Sequence, residues 1–162
     1  MKLQIVLGSE SDQEVVRASK MTEVLDAVGI DYDAHVYSAH RNPDDLSAFV
    51  REALEQGAEM FIGVAGMAAA LPGAIAGATK MTVPVLGVPL DKDGIDSCLY
   101  MPPGVPVATM GVGIPGLRNA AIFACQVLTR GRGAQAGEFQ NYLARTAKSP
   151  KYGIGPAGIR PS

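Results

Sequence analysis

Short runs rich in β-branched residues alternate along the chain with longer segments of helical periodicity. The short runs predict five strands: LQIVL (3–7), IDYDAHV (30–36), MFIGVA (60–65), VPVLGV (83–88) and VPVATM (105–110). Between the first and second strands, one helical face carries Ala18, Met21, Leu25 and Val28, and Gly29 is expected to end the helix. Between the second and third strands, one face carries Leu46, Phe49, Val50, Ala53 and Leu54, before Gly57. The pattern therefore predicts β-α-β-α-β over the first half of the chain.

Three further helices are predicted beyond the third strand. The segment 68–80 is small and apolar all round, which is typical of a helix covered on every side, and 117–129 and 134–147 have ordinary helical periodicity. Strands that are apolar on both faces and separated by helices imply a parallel sheet covered on both sides. We therefore expect a three-layer α/β fold in a single catalytic domain, residues 1–148, followed by an irregular Gly/Pro-rich arm, 149–162.

Charge and cysteine content exclude several classes of function. The 14 Lys and Arg residues against 16 Asp and Glu residues give a net charge of -2 without a long run of like charge, so neither nucleic acid nor a membrane surface is an expected partner. Small solutes are expected instead. Cys98 and Cys125 form no disulfide framework and no zinc pattern, and the N-terminus carries no targeting signal. We expect a soluble, cytoplasmic protein.

Polar residues cluster where the first three strands end. These strand-to-helix corners are the first loop, GSESD (8–12), the second loop, SAHRN (38–42), and the third loop, AGMAAALPG (65–73). In parallel sheets the strand ends meet at one edge, and ligands bind there. The three loops therefore predict one ligand site, to which Ser38 in the second loop would also contribute.

The first loop offers hydroxyls, a carboxylate and the free amides of a helix start, a combination that suits a phosphate or a ribose. Ser11 with Glu14 also fits a capping box, which would by itself explain Ser11. Ser9 and Asp12 are not needed for that cap. They are therefore the stronger ligand candidates.

In the second loop, Asn42 as N-cap and Pro43 at the first turn explain the helix start without His40 and Arg41. Arginine presents a rigid fork of donors suited to phosphate, and histidine moves protons near neutral pH. A solvated surface pair is the competing interpretation. His35 lies inside the strand pattern and is expected to be structural.

The third loop carries no charge. Gly66, Ala68, Ala69 and Gly73 leave room for a planar ring or a carboxylate and expose backbone amides, although close helix-sheet packing would use the same residues. GVGIPG (111–116) matches a dinucleotide motif but follows the last strand and lacks its acidic partner. A phospho-receiver would need an acidic residue where Ala65 and Gly66 stand.

Five stretches together resemble the N5-carboxyaminoimidazole ribonucleotide mutase family of purine biosynthesis. They are the first loop, SAHRNPD (38–44), the third loop, PVLGVP (84–89), and MPPGVPVATMGVG (101–113) followed by NAA (119–121). The resemblance covers about residues 3 to 130 in order. The combination of GSxSD with SAHR is its most specific part.

The resemblance implies a flavodoxin-like fold, a homo-octamer with active sites at subunit junctions, and conversion of N5-carboxyaminoimidazole ribonucleotide to 4-carboxy-5-aminoimidazole ribonucleotide without metal, ATP or organic cofactor. It implies that Ser9, Asp12 and Arg41 hold the ribose-phosphate and that His40 is the acid/base. The other substrate-site residues expected are Ser11, Ser38, Gly66 and Ala68. An octamer also agrees with the apolar 68–80 segment, which needs cover from another subunit.

The chain departs from the family pattern at several positions. Met67 and Ala70 stand where Gly and His are expected, Pro103 replaces a basic residue, and the stretch between Val88 and Met101 is short. An apolar residue at position 70 resembles the sister class that carboxylates aminoimidazole ribonucleotide directly with carbon dioxide, whereas SAHR favours the mutase. A paralogue with a related substrate and a non-enzymatic nucleotide-binding module stay open as alternatives.

Overall fold

Parallel strands form the centre of the protein. The computed structural model describes residues 2–146 and, as backbone, 152–155 and 158–161. The sheet has the strand order β2-β1-β3-β4-β5, with every neighbouring pair parallel. Its strands are β1 (Lys2–Leu7), β2 (Asp31–Val36), β3 (Ala58–Ala65), β4 (Val85–Pro89) and β5 (Ala108–Thr109). The five predicted strands are confirmed, although the last is reduced to two residues.

Helices cover both faces of this sheet. They are α1 (Asp12–Ser19), α2 (Met21–Val28), α3 (Pro43–Glu55), α4 (Leu71–Ala78), α5 (Ile95–Leu99), α6 (Gly113–Leu128) and α7 (Gly133–Thr146). One core packs Ile5 and Ile62 against α1, α2, α6 and α7, and the other packs Val6 and Phe61 against α3, α4 and α5. Successive residues of a strand face opposite sides. The predicted three-layer α/β fold is thus confirmed.

The edge strand β2 differs from the expectation that every strand is apolar on both faces. Asp31 and Asp33 are exposed, and only one long side of the strand is paired, with β1. An edge strand meets solvent, and charged residues there discourage pairing with another chain.

The segment between the first and second strands is not one helix. Lys20 adopts a left-handed conformation with φ of 58°, so that Met21, Leu25 and Val28 are buried whereas Ala18 is exposed. The Ser19 hydroxyl donates to the Val16 carbonyl oxygen at 2.6 Å and accepts the Met21 N–H at 3.2 Å. A hydroxyl that competes for backbone groups in this way ends the helix early.

Two segments depart from the sequence prediction in the second half of the chain. A 3-10 turn, Lys92–Gly94, runs into α5, where no helix was predicted. α6 begins at Gly113, earlier than expected, and a Cβ at Gly116 would lie 2.4 Å from the Gly111 carbonyl oxygen. Close backbone packing therefore explains the glycines of GVGIPG.

At the end of the chain, β6 (Tyr152–Gly155) and β7 (Gly158–Pro161) pair antiparallel, where an irregular arm was expected. The boundary expected between residues 148 and 149 lies outside the described residues and stays a prediction. Cys98 and Cys125 are buried and free. None of the described helices is long and apolar enough to cross a membrane.

The strand order also indicates where a ligand site is expected. Chain direction across the sheet reverses between β1 and β3, because the chain proceeds from β1 outward to β2 and then returns to the other side of β1. Loops that leave the carboxyl ends of such strands diverge and open a crevice.

Candidate active site

A pocket of about 390 Å³ opens at this reversal point. All three loops line it, whereas Gly73, which was expected to leave room for a ligand, does not. The eight residues nominated as ligands are present: Ser9, Ser11, Asp12, Ser38, His40, Arg41, Gly66 and Ala68. The structure thus brings the three nominated corners together. Their contacts with a ligand stay predictions.

Asp12 closes the first loop on itself. Its Oδ2 accepts the Ser9 N–H at 3.0 Å, while the Ser9 carbonyl oxygen accepts the Asp12 N–H at 3.1 Å. The Ser11 hydroxyl donates to the Ser9 hydroxyl oxygen at 3.0 Å. This arrangement presents two hydroxyls and a carboxylate at the start of α1.

The predicted capping box of Ser11 with Glu14 is wrong. Ser11 makes no side-chain cap and already has helical angles, φ of -60° and ψ of -24°, whereas a capping residue is normally extended. In that conformation its hydroxyl turns to Ser9 instead. Ser11 is therefore free of the role that competed with ligand binding.

The carboxyl of Asp12 is nearly buried, with 9% of the residue exposed. Burial raises its pKa above the usual value of 3.8. The backbone amides of Ser9 and Gly8 and the positive charge of Arg41 act in the opposite direction, whereas the negative charge of Asp91 raises the pKa further. The ionised form is consequently disfavoured at this position.

Arg41 joins the second loop to the first. Its Nη2 donates to the Gly8 carbonyl oxygen at 3.1 Å, and its backbone N–H donates to the Ser38 hydroxyl at 3.2 Å. Since a guanidinium carries five N–H donors, most of the fork stays available for a bound anion. The geometry favours an anchored binding residue over a solvated surface charge.

Asn42 precedes α3 as predicted, and Pro43 occupies its first turn, but the predicted side-chain cap is wrong. Asn42 Oδ1 accepts the Ser38 N–H at 2.8 Å instead. The side chain thereby closes the second loop. This closure presents Ser38 and Arg41 to the pocket.

The two histidines have different environments. His40 is exposed in the pocket, whereas the ring of His35 lies 4.5 Å from that of Phe49 and 6.4 Å from that of Tyr37. His35 thus lies outside the pocket lined by the three loops, and its structural role stays a prediction. His40 is accordingly the histidine that a ligand in this pocket can reach.

The third loop contains two left-handed residues that are not glycine, Met67 with φ of 53° and Ala69 with φ of 41°. Each such residue costs about 1–2 kcal/mol. The glycine that the family resemblance leads us to expect at 67 would avoid the cost. Met67 nevertheless leaves 80% of its surface exposed beside the pocket.

Asp91, which the sequence reading missed, supports this loop. Its Oδ2 accepts the Met67 N–H at 2.9 Å, and a Cβ at Gly66 would lie 3.0 Å from that oxygen. The signal available in the sequence was an Asp directly after a buried strand in the turn-like stretch DKDG (91–94).

Ser9, Ser38 and Arg41 also line an adjoining open groove of about 400 Å³, together with Glu10, Val36 and Asn42. They therefore lie where the two cavities meet, and one extended ligand could occupy both. Among the described residues, no three His, Cys, Asp or Glu side chains are arranged to hold a metal ion.

The chain is similar in sequence and in fold to proteins of one known family. Residues 2–149 match the family described as AIR carboxylase. The N5-carboxyaminoimidazole ribonucleotide mutase of Pyrococcus abyssi is 44% identical over 134 residues, which cover 79% of this chain and 74% of that protein. The mutase of Escherichia coli K12 is 40% identical over 133 residues, covering 78% and 76%. The crystal structure of Treponema denticola PurE matches with a TM-score of 0.77 at 26% identity, covering 90% and 91%.

Proposed function

The chain belongs to the AIR carboxylase family, and from this premise we propose that it is the purine-biosynthetic mutase that converts N5-carboxyaminoimidazole ribonucleotide to 4-carboxy-5-aminoimidazole ribonucleotide. The observation that carries the proposal is the convergence of all three loops, with every nominated ligand residue, on one pocket at the reversal point of the sheet. Relatives at 40–44% identity that bear the mutase name support the same assignment.

The two joined cavities suggest how the nucleotide would lie. The phosphate would occupy the groove beside Arg41 and Ser9, where the unused guanidinium donors and the hydroxyl can bind an anion. Asp12 would accept a hydrogen bond from the ribose. The imidazole ring would then lie beside the uncharged third loop, where Gly66 and Ala68 leave room.

The reaction moves a carboxylate from the exocyclic nitrogen of the imidazole to ring carbon C4. The bond from the exocyclic nitrogen to the carboxylate carbon breaks, carbon dioxide is released into the pocket, and the nitrogen gains a proton. Ring C4 then attacks the carbon dioxide and loses its own proton. His40 would deliver the first proton and remove the second, and general acid-base catalysis of this kind contributes about 10²–10⁴ in rate.

The pocket suits a reactive intermediate that must not escape. The third loop offers apolar surface from Ala65 to Leu71, where α4 begins. Exclusion of water by the bound substrate would keep the carbon dioxide near C4.

A second activity, direct carboxylation of aminoimidazole ribonucleotide, is favoured by one observation. Ala70 lines the pocket where the mutase pattern would place a histidine. The purified protein should be incubated separately with the carbamate nucleotide and with aminoimidazole ribonucleotide plus bicarbonate, while the absorbance of the carboxylated product is followed. Faster turnover of the carbamate supports the mutase, and faster turnover of the second mixture supports the carboxylase. No turnover of either would favour a related substrate or a nucleotide-binding module.

We further propose a cytoplasmic homo-octamer whose sites are completed by neighbouring subunits. The single chain covers Leu71 and Ile75 of α4 but leaves Ala74 and Gly77 exposed. Leu99, the last residue of α5, and Tyr100 directly after it are 59% and 81% exposed. Such a surface of small and apolar residues suits a subunit contact. The free, buried thiols of Cys98 and Cys125 agree with a reducing compartment.

A further inference from the structure

One carboxylate joins two loops that are distant in sequence. Asp91 Oδ1 accepts the N–H groups of Asp93 at 3.0 Å and of Gly94 at 3.2 Å, which caps the 3-10 turn after β4. Asp91 Oδ2 accepts the Met67 N–H at 2.9 Å, 24 residues earlier in the chain. Both oxygens are therefore committed to backbone groups.

The two loops pack closely at Gly94, which has no side chain. A Cβ at Gly94 would lie 2.7 Å from the Ala69 Cβ and 2.8 Å from the Met67 carbonyl oxygen. The third loop thus rests directly on the 3-10 turn that Asp91 organises. Because the two loops pack together without room for a side chain at position 94, neither loop has much freedom to shift separately.

Met67 needs such support because its φ of 53° is unfavourable for a residue with a Cβ. Its side chain is mostly exposed and contributes little packing to hold that conformation. The hydrogen bond from its N–H to an ionised acceptor is the stronger kind. A strained backbone conformation persists only where contacts with the surrounding structure hold it in place.

We propose that Asp91 is a positioning residue of the active site, which keeps Met67 in the left-handed conformation and thereby holds the third loop in the shape that lines the pocket together with His40. The expected change in kcat rests on the proposed function. The expected change in amide hydrogen exchange does not.

A second effect follows from the charge of Asp91. The charged groups that act on the Asp12 carboxyl are Arg41, which lowers its pKa, and Asp91, which raises it. Neutralising position 91 therefore lowers the pKa of Asp12. Any activity that needs ionised Asp12 should then extend to lower pH.

The experiment compares Asp91→Ala and Asp91→Asn with Asp93→Asn, a matched change in the same turn at a side chain that makes no hydrogen bond to the third loop. Amide hydrogen exchange of residues 65–71 is measured without ligand, and kcat and KM with the carbamate nucleotide. We expect about tenfold faster exchange and about tenfold lower kcat in Asp91→Ala, with KM changed less than twofold. Asp93→Asn should stay within twofold of the wild type. Asp91→Asn should move the acid limb of the kcat/KM profile to lower pH.

The Met67→Gly background shows whether Asp91 acts through Met67. Glycine adopts positive φ freely, so removal of Asp91 should cost less kcat in that background than in the wild type. Equal exchange in Asp91→Ala and Asp93→Asn, or equal losses in both backgrounds, would overturn the proposal. A wild-type protein that turns over neither substrate overturns the proposed function instead, and the exchange comparison then decides the role of Asp91 alone.

Discussion

The guanidinium of Arg41 donates a hydrogen bond to the carbonyl oxygen of Gly8 at 3.1 Å, so the second loop is tied to the first across 33 residues of sequence. This contact fixes the direction of the guanidinium fork. Its remaining donors lie at the junction of the pocket and the adjoining groove. We therefore expect nucleotide affinity to depend strongly on the shape of the cation at position 41.

Arg41→Lys should weaken nucleotide binding about tenfold, because an ammonium cannot reach Gly8 and an anion together as a planar fork does, and about 1.4 kcal/mol corresponds to that factor. Calorimetry with the carboxylated product measures the change. Arg17→Lys on the exposed face of α1 is the matched control and should leave affinity unaltered. Equal affinities of Arg41→Lys and the wild type would contradict the assignment.

His40→Asn should fold and bind nucleotide like the wild type but lose about 10²–10⁴ in turnover, because asparagine cannot transfer a proton. The side chain is exposed in the pocket, so its replacement leaves no cavity in either core. Circular dichroism and calorimetry check folding and binding, and product absorbance checks turnover. A variant with near-normal turnover would remove His40 from the mechanism.

Asp12→Asn should raise the thermal midpoint at pH 7 while weakening nucleotide binding. The pKa of Asp12 is raised in the folded protein, so its contribution to stability is fully present below about pH 3.8 and is lost as pH rises through the folded pKa. At pH 7 the wild type therefore bears an unfavourable buried charge, which asparagine lacks. The stability gain should shrink toward pH 4. A destabilised variant at pH 7 would mean that the hydrogen bond from Ser9 and the positive charge of Arg41 outweigh the cost of burial.

Met67→Gly should raise the free energy of unfolding by about 1 kcal/mol, the balance between relief of a left-handed residue and the added freedom of glycine in the unfolded chain. The exposed methionine side chain loses little packing. Urea denaturation measures the change. Met67→Ala retains the strain and should not be stabilised, so an equal gain in both variants would argue against strain at this position.

Ala74→Glu should dissociate the assembly, because a charge would enter the exposed face of α4 that we assign to a subunit contact. Light scattering behind a sizing column measures the mass, and Ala48→Glu on the exposed face of α3 is the matched control. A wild-type protein that is a fully active monomer at micromolar concentration would disprove both the assembly and the shared site.

The sequence by itself determined the layers of the fold and the location of the pocket. Strand and helix periodicity predicted all of the sheet, because burial of alternating residues is recorded locally in the pattern of apolar positions. The sequence also predicted that the first, second and third loops lie close together, because the carboxyl ends of parallel strands meet at one edge of the sheet. The two histidines could likewise be distinguished from the sequence, because His35 lies inside a strand pattern and His40 lies in the loop after it.

Only the tertiary structure decided which partner each polar side chain takes. Ser11 and Asn42 stand where caps were predicted, yet they bond to Ser9 and Ser38, because their backbone angles and the packing of the loops put those atoms nearer than the helix amides. The Asp91 contact with Met67 spans 24 residues, and the turn-like stretch DKDG (91–94) does not indicate which distant N–H the Asp91 carboxylate accepts. Several acceptors compete for each N–H, and the choice depends on distances that long-range packing sets. A one-dimensional pattern contains no such distances.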